Sequence, residues 1–409
     1  MKELNFNTKA IHGKINKKDI HNSIKYPIYA SAAYAFESAE EIEAVFRGQK
    51  QAHAYTRVTN PTVEAFELKM TALEDGFASI AVASGMAAIT NTFFALLQQG
   101  DKIIASNGLF AGTYSLLKNT LPRLGITTSF VDINDLDSIK ALIDEKTKVI
   151  FFETIANPKM NIPDIQAIAD IAHANNLVVI ADSSLTSPYL FQAKNYGVDV
   201  VIHSSTKFIS GGATSIGGVI VDLGTYNWTK YQGLGKFCQL KEWAFISKLR
   251  KEIYKDLGSC LSPQSAFLQS IGLETLSLRV ERCCNNAFDV ARYLESHEQV
   301  NRVNYPGLTS SPFHELAKRQ FRGLFGAVFT FELDSKDACF KFLNKLTIIK
   351  RATNLGDNAS LAIHPHSTIY VDCSDEEKKL LGIDDKVIRL SIGIEDREDI
   401  IYDIGQALC

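Results

Sequence analysis

The chain has 409 residues, enough for two domains with cores of their own, and a formal net charge of −3. That balance, with no basic run, argues against a nucleic-acid surface. No stretch reaches the about 18 consecutive apolar residues that a membrane span needs. Seven scattered cysteines, an odd number, follow a polar start without the apolar core of a signal peptide. They are expected to be reduced thiols of a cytoplasmic protein. Cys283-Cys284 has no second pair at metal-ligand spacing, and His364-Pro365-His366 has no partner motif, so no metal is expected.

Residues 1–60 show no strong periodicity and are expected to form an arm of short elements. A helix then begins. Asn60 can cap it, Pro61 suits its first turn, and Val63, Phe66, Met70 and Leu73 line one face before Gly76. Short apolar runs at 79–83, 102–105, 127–131, 149–153, 178–182, 200–203 and 218–221 read as strands buried on both faces of a mostly parallel sheet. Helical stretches such as 165–174 supply the crossovers. Residues 61–255 are therefore expected to form a doubly wound α/β domain. After 255 the pattern changes to two long helices, 263–279 and 280–294, then strands at 327–333 and 387–392. That predicts a smaller α+β domain over 256–409.

Ligands of open α/β sheets gather beyond the carboxyl ends of the strands, so polar groups there are the candidate site. Ser84-Gly85-Met86 follows one strand and opens an apolar helix. Its amides would face an anion and Gly85 would let a phosphate approach, although the same turn also serves as a plain cap. Asp182 ends a strand, where it is either a turn former or the partner of a ring nitrogen. Lys207 follows another strand in His203-Ser204-Ser205-Thr206-Lys207, before a glycine-rich turn. An amine there can form a Schiff base with an aldehyde cofactor, small hydroxyls can take a phosphate, and an aspartate keeps a pyridine nitrogen protonated. Singly these are ordinary residues; together they fit pyridoxal 5'-phosphate.

Tyr55 and Arg57 are two apart. In an extended segment they share one face as a phosphate clamp, across a subunit boundary if the arm reaches that far; otherwise they are an exposed pair. Arg389 stands inside the apolar run 387–392. A guanidinium buried there needs an anion, either a structural carboxylate or the carboxylate of a substrate.

These residues carry a resemblance that covers nearly the whole chain. The runs are Tyr55-Thr56-Arg57-Val58-Thr59-Asn60-Pro61-Thr62, Ala83-Ser84-Gly85-Met86, Glu153-Thr154-Ile155-Ala156-Asn157-Pro158, His203-Ser204-Ser205-Thr206-Lys207 and Arg389-Leu390-Ser391-Ile392-Gly393-Ile394-Glu395-Asp396. The chain resembles the Cys/Met-metabolism (trans-sulfuration) family of pyridoxal-phosphate enzymes. Softer runs, such as Leu257-Gly258-Ser259-Cys260-Leu261-Ser262-Pro263 and Asn354-Leu355-Gly356-Asp357, are similar to its O-acetylhomoserine sulfhydrylase branch.

The resemblance implies fold type I of the pyridoxal-phosphate-dependent transferases. It implies Lys207 as the Schiff-base lysine and proton carrier, with Asp182 on the pyridine nitrogen. Ser84, Gly85, Met86, Ser204 and Thr206 would bind the phosphate, and Tyr55 and Arg57 the phosphate of a neighbouring subunit in a homotetramer built from dimers. Asn157, Asn354 and Arg389 would orient substrate and cofactor. Three departures stand out. Phe110 replaces a tyrosine that stacks on the cofactor ring, Ser183-Ser184 replaces asparagine-threonine, and Gly211-Gly212-Ala213 lacks a histidine. Phenylalanine keeps the stacking but loses an acid for the leaving group. The expected reaction is γ-replacement on an activated homoserine ester by sulfide or a small thiol. A γ-lyase or a specialised sulfur-transfer enzyme is the alternative.

Overall fold

The computed structural model describes residues 4–13 and 21–409. Residues 1–3 and 14–20 of the expected arm lie outside the described residues. The remainder of the arm carries two short helices, Phe6–His12 and Ala39–Phe46. No helix among the described residues is long and apolar enough to cross a membrane.

Seven strands form the larger sheet: β1 Ala78–Val82, β2 Lys102–Ser106, β3 Thr127–Val131, β4 Thr147–Glu153, β5 Val178–Asp182, β6 Val200–His203 and β7 Gly218–Asp222. Their order is β1-β7-β6-β5-β4-β2-β3. Six run in one direction, and β7 runs against them between β1 and β6. Alternate residues enter two separate cores. Val179, Ala181 and Val201 pack on one face, Val178, Ile180, Val200 and Ile202 on the other. Burial on both faces is why these strands read as continuous apolar runs rather than as alternations.

The helix Pro61–Leu73 covers one face. Asn60 caps it by accepting hydrogen bonds from the amides of Thr62 and Val63. The helix Gly85–Leu96 covers the other face. Because β7 is reversed, its first residue meets the end of β1: Gly218 pairs with Val82. A Cβ on Gly218 would sit 2.2 Å from the carbonyl oxygen of Ser84, so only glycine permits this approach.

The two long helices divide earlier than their periodicity predicts, into Pro263–Glu274 and Leu276–Glu295. The cause is tertiary. Arg279 donates to the carbonyls of Gly272 and Phe208, both at 2.7 Å, so its guanidinium caps the first helix where propensity alone would continue it. The second sheet has the order β10-β11-β12-β9-β8, built from β8 Arg302–Asn304, β9 Val328–Glu332, β10 Lys350–Arg351, β11 Leu361–Ile363 and β12 Val387–Ser391. Three of these strands have two or three residues, too few to show any period.

Candidate active site

A cavity of about 200 Å³ opens at the carboxyl edge of the large sheet, with Arg389 of β12 in its wall. Ser84, Gly85, Met86, Phe110, Asn157, Asp182, Ser204, Thr206, Lys207 and Arg389 all line it. Sheet register explains the gathering. β4 pairs with β5 so that Glu153 lies beside Asp182, and Asp182 lies beside Ile202, shortly before the Ser204–Lys207 loop.

The Lys207 ammonium group donates to Oδ1 of Asn354 at 2.7 Å, which draws Asn354 to the cavity from the second sheet's side. Burial pushes this amine down to about 8; the Arg389 charge adds to the effect, and the Asp182 carboxylate opposes it. Burial pushes Asp182 upward, against hydrogen bonds from Ser184, whose amide donates at 2.9 Å, and the nearby Lys207 charge. The Ser184 hydroxyl also accepts from the Ser204 amide at 2.6 Å, so it links the two strand ends.

Ser84 caps the helix Gly85–Leu96 by accepting from the Ala87 amide at 3.0 Å. The first amides of a helix, here those of Gly85 and Met86, have no acceptor within it. A Cβ on Gly85 would lie 2.6 Å from Cβ of Ser204, so the glycine lets this helix start directly against the lysine loop. Thr206 lies at the same edge. Its hydroxyl both donates to the Gly217 carbonyl and accepts from the Gly217 amide, each at 3.1 Å, and is thus committed to the loop.

Arg389 is 2% exposed, yet it makes no ion pair among the described residues. Its Nη1 donates to Oδ1 of Asn157 at 3.1 Å and its Nη2 to the Asn354 carbonyl at 3.1 Å, while buried Nε has no partner. Burial brings the guanidinium down to about 10. A structural carboxylate is therefore not what holds it, and the site retains a desolvated positive charge with a free donor.

Tyr55 and Arg57 lie elsewhere. The segment is not extended: Tyr55 makes a single bridge to Ala33, and its carbonyl then accepts from Val58 and Thr59 in a turn. The Arg57 guanidinium stacks 5.4 Å from the centre of the half-exposed Tyr55 ring and donates to the Lys255 carbonyl. They are together, on the surface, and do not line the cavity.

Three further residues at the site have no role that the sequence implies. Ser184 figures there only as a departure. Glu153 ends its strand just as Asp182 does, so the same signal was present. Tyr370 reaches the site from a loop with no sequence signal at all; its buried hydroxyl meets the carbonyls of Leu109 and Asn157 at 3.1 and 2.8 Å.

This set of groups suits an anionic aldehyde: an amine of lowered basicity, a half-buried carboxylate, a helix start bared by glycine and an unpaired guanidinium. The comparisons agree. Residues 7–409 match the family model described as Cys/Met metabolism PLP-dependent enzyme. A homocysteine synthase of Schizosaccharomyces pombe is 39% identical, covering 98% of each chain. An L-methionine gamma-lyase of Pseudomonas deceptionensis is 37% identical over 100% of this chain and 98% of its own. A crystal structure from Campylobacter jejuni, described as an O-acetylhomoserine (thiol)-lyase and carrying N'-pyridoxyl-lysine-5'-monophosphate, superposes with a TM-score of 0.91. It is 37% identical, covering 99% of this chain and 100% of that one. The chain belongs to the pyridoxal-phosphate-dependent enzymes of cysteine and methionine metabolism.

Proposed function

We propose that this enzyme performs γ-replacement on O-acetyl-L-homoserine, with sulfide or a small thiol as the incoming group and homocysteine or methionine as product. The observation that carries this reading is Phe110 in the cavity wall. A thiolate leaving from a thioether benefits from a nearby phenol as acid, whereas acetate leaves as a stable anion and needs none. The homocysteine synthase relative supports the same choice.

Pyridoxal phosphate, when bound, supplies an aldehyde that condenses with amines and a ring that withdraws electrons from the adjoining carbon. Lys207 would carry it and Asp182 would hold its ring nitrogen. The amides of Gly85 and Met86 and the Ser204 hydroxyl would hold its phosphate, while Ser84 and Thr206 fix the two loops that present them. Phe110 would face the ring. Arg389 and Asn157 would grip the substrate carboxylate. Lys207, freed by the substrate amine and held through Asn354, would take the proton from Cα and later return one. Its lowered basicity keeps the neutral amine within reach near neutral pH. Tyr55 and Arg57, exposed on the surface, would reach the phosphate in a neighbouring subunit of a cytoplasmic homotetramer.

The direct test follows the absorbance of cofactor-loaded protein on adding O-acetyl-L-homoserine, with and without sulfide. Homocysteine formed only with sulfide supports replacement. Ammonia and a 2-oxo acid from methionine or cystathionine, with no response to the ester, would make it a lyase.

Two further outcomes are expected. Phe110→Tyr should raise thioether-cleaving activity by about 100-fold, the low end of what a positioned acid contributes; an unchanged rate removes the role given to this position. In cofactor-free protein only the neutral amine of Lys207 attacks the aldehyde. The rate of cofactor capture should therefore rise about tenfold per pH unit and level off above about 8. A profile still rising at pH 10 would contradict the lowered basicity.

A further inference from the structure

Glu153 stands beside Asp182 at the edge of the large sheet, yet the reaction above gives it no task. It is 5% exposed, and both burial and the neighbouring Asp182 carboxylate push its own carboxyl well up. Such a group is costly to bury and implies a use that an apolar residue cannot serve.

Its partners indicate that use. Oε1 accepts from the Phe110 amide at 2.6 Å, and Oε2 accepts from the Asn157 amide at 3.1 Å. The first amide belongs to the loop after β2, the second to the loop after β4. Both side-chain oxygens accept here, a pair of acceptors that glutamine, with its single carbonyl oxygen, does not offer. Asn157 in turn accepts from Arg389 through its side chain. The hydroxyl of Tyr370, a residue 1% exposed, shares its one proton between the carbonyls of Leu109 and Asn157. The two loops are thus tied twice, once through their amides and once through their carbonyls.

We propose that Glu153 is a positioning residue that fixes the spacing between ring-facing Phe110 and the Asn157–Arg389 clasp, with Tyr370 as the second tie. Cofactor ring and substrate carboxylate are then held by one unit rather than by two independent loops. What fills the cavity rests on the γ-replacement reading; the tie itself belongs to the chain alone.

The test uses Glu153→Gln and Tyr370→Phe. Amide hydrogen exchange is followed on cofactor-free protein, and cofactor dichroism and steady-state kinetics on loaded enzyme. In Glu153→Gln, segments containing Phe110 and Asn157 should lose protection together, by about tenfold, as expected for one buried hydrogen bond unmade. The dichroism of the cofactor band should change. KM for the amino-acid ester should rise about tenfold while that for sulfide stays fixed. Tyr370→Phe should move the same two segments, and it decides the matter if Glu153→Gln does not fold. Loosening of one loop alone, or of neither, overturns the proposal, as does a fall in kcat with unchanged dichroism and KM. Wild-type enzyme that ignores O-acetyl-L-homoserine would defeat the γ-replacement reading, while the exchange result would still judge Glu153.

Discussion

Replacing Lys207 with alanine should leave a folded protein that turns over O-acetyl-L-homoserine at least about 10³-fold more slowly, within the range that a positioned acid–base group contributes. The loss should fall on kcat. The side chain makes one hydrogen bond, to Asn354, and its amine is already destabilised by burial and by the Arg389 charge. Removing it therefore relieves a desolvated cation rather than breaking a salt bridge, and the melting temperature should hold or rise. Small primary amines that enter the vacated space should restore part of the rate. A lysine that served only to pack the loop would give the opposite pattern, a lowered melting temperature and no response to added amine. Steady-state kinetics with and without methylamine, together with thermal unfolding, separate the two.

The parts of this molecule that sequence revealed are those where one residue carries its own signal. Asp182 and Lys207 end or follow apolar strands, and the parallel register brings them to one edge without help from any distant residue. Asn60 and Pro61 announce their helix in the same local way. Arg389 is conspicuous because a charge inside an apolar strand is costly, but only the structure shows that no carboxylate among the described residues pairs with it. Long-range contacts left no trace. The break between the two long helices is made by Arg279 reaching Phe208, 71 residues away in sequence. Tyr370 acts on Leu109 and Asn157 from a loop whose composition is unremarkable in any window. The hydrogen bonds of the Thr206 hydroxyl follow from the reversal of β7, which puts Gly217 against it, a fact of topology that no local window carries.

Arg389→Met should raise KM for O-acetyl-L-homoserine about 100-fold, the ~3 kcal/mol expected when one member of a desolvated charge pair is removed. KM for sulfide should not change, because sulfide carries no carboxylate to grip. Methionine occupies similar volume without charge. The guanidinium it replaces is buried, with one nitrogen unpartnered and no carboxylate among the described residues to offset its desolvation, so folding stability should be kept or improved. That combination, weaker substrate binding in an equally stable protein, is hard to obtain from a structural arginine, whose loss would unfold first. A second readout follows from the same charge. Arg389 helps hold the Lys207 amine at about 8, so its removal should shift the pH midpoint of cofactor capture upward. A midpoint that stays fixed while KM rises would mean that the two cations do not sense each other across the cavity. If neither quantity moves, the substrate carboxylate binds elsewhere, and the free Nε of Arg389 serves some other acceptor.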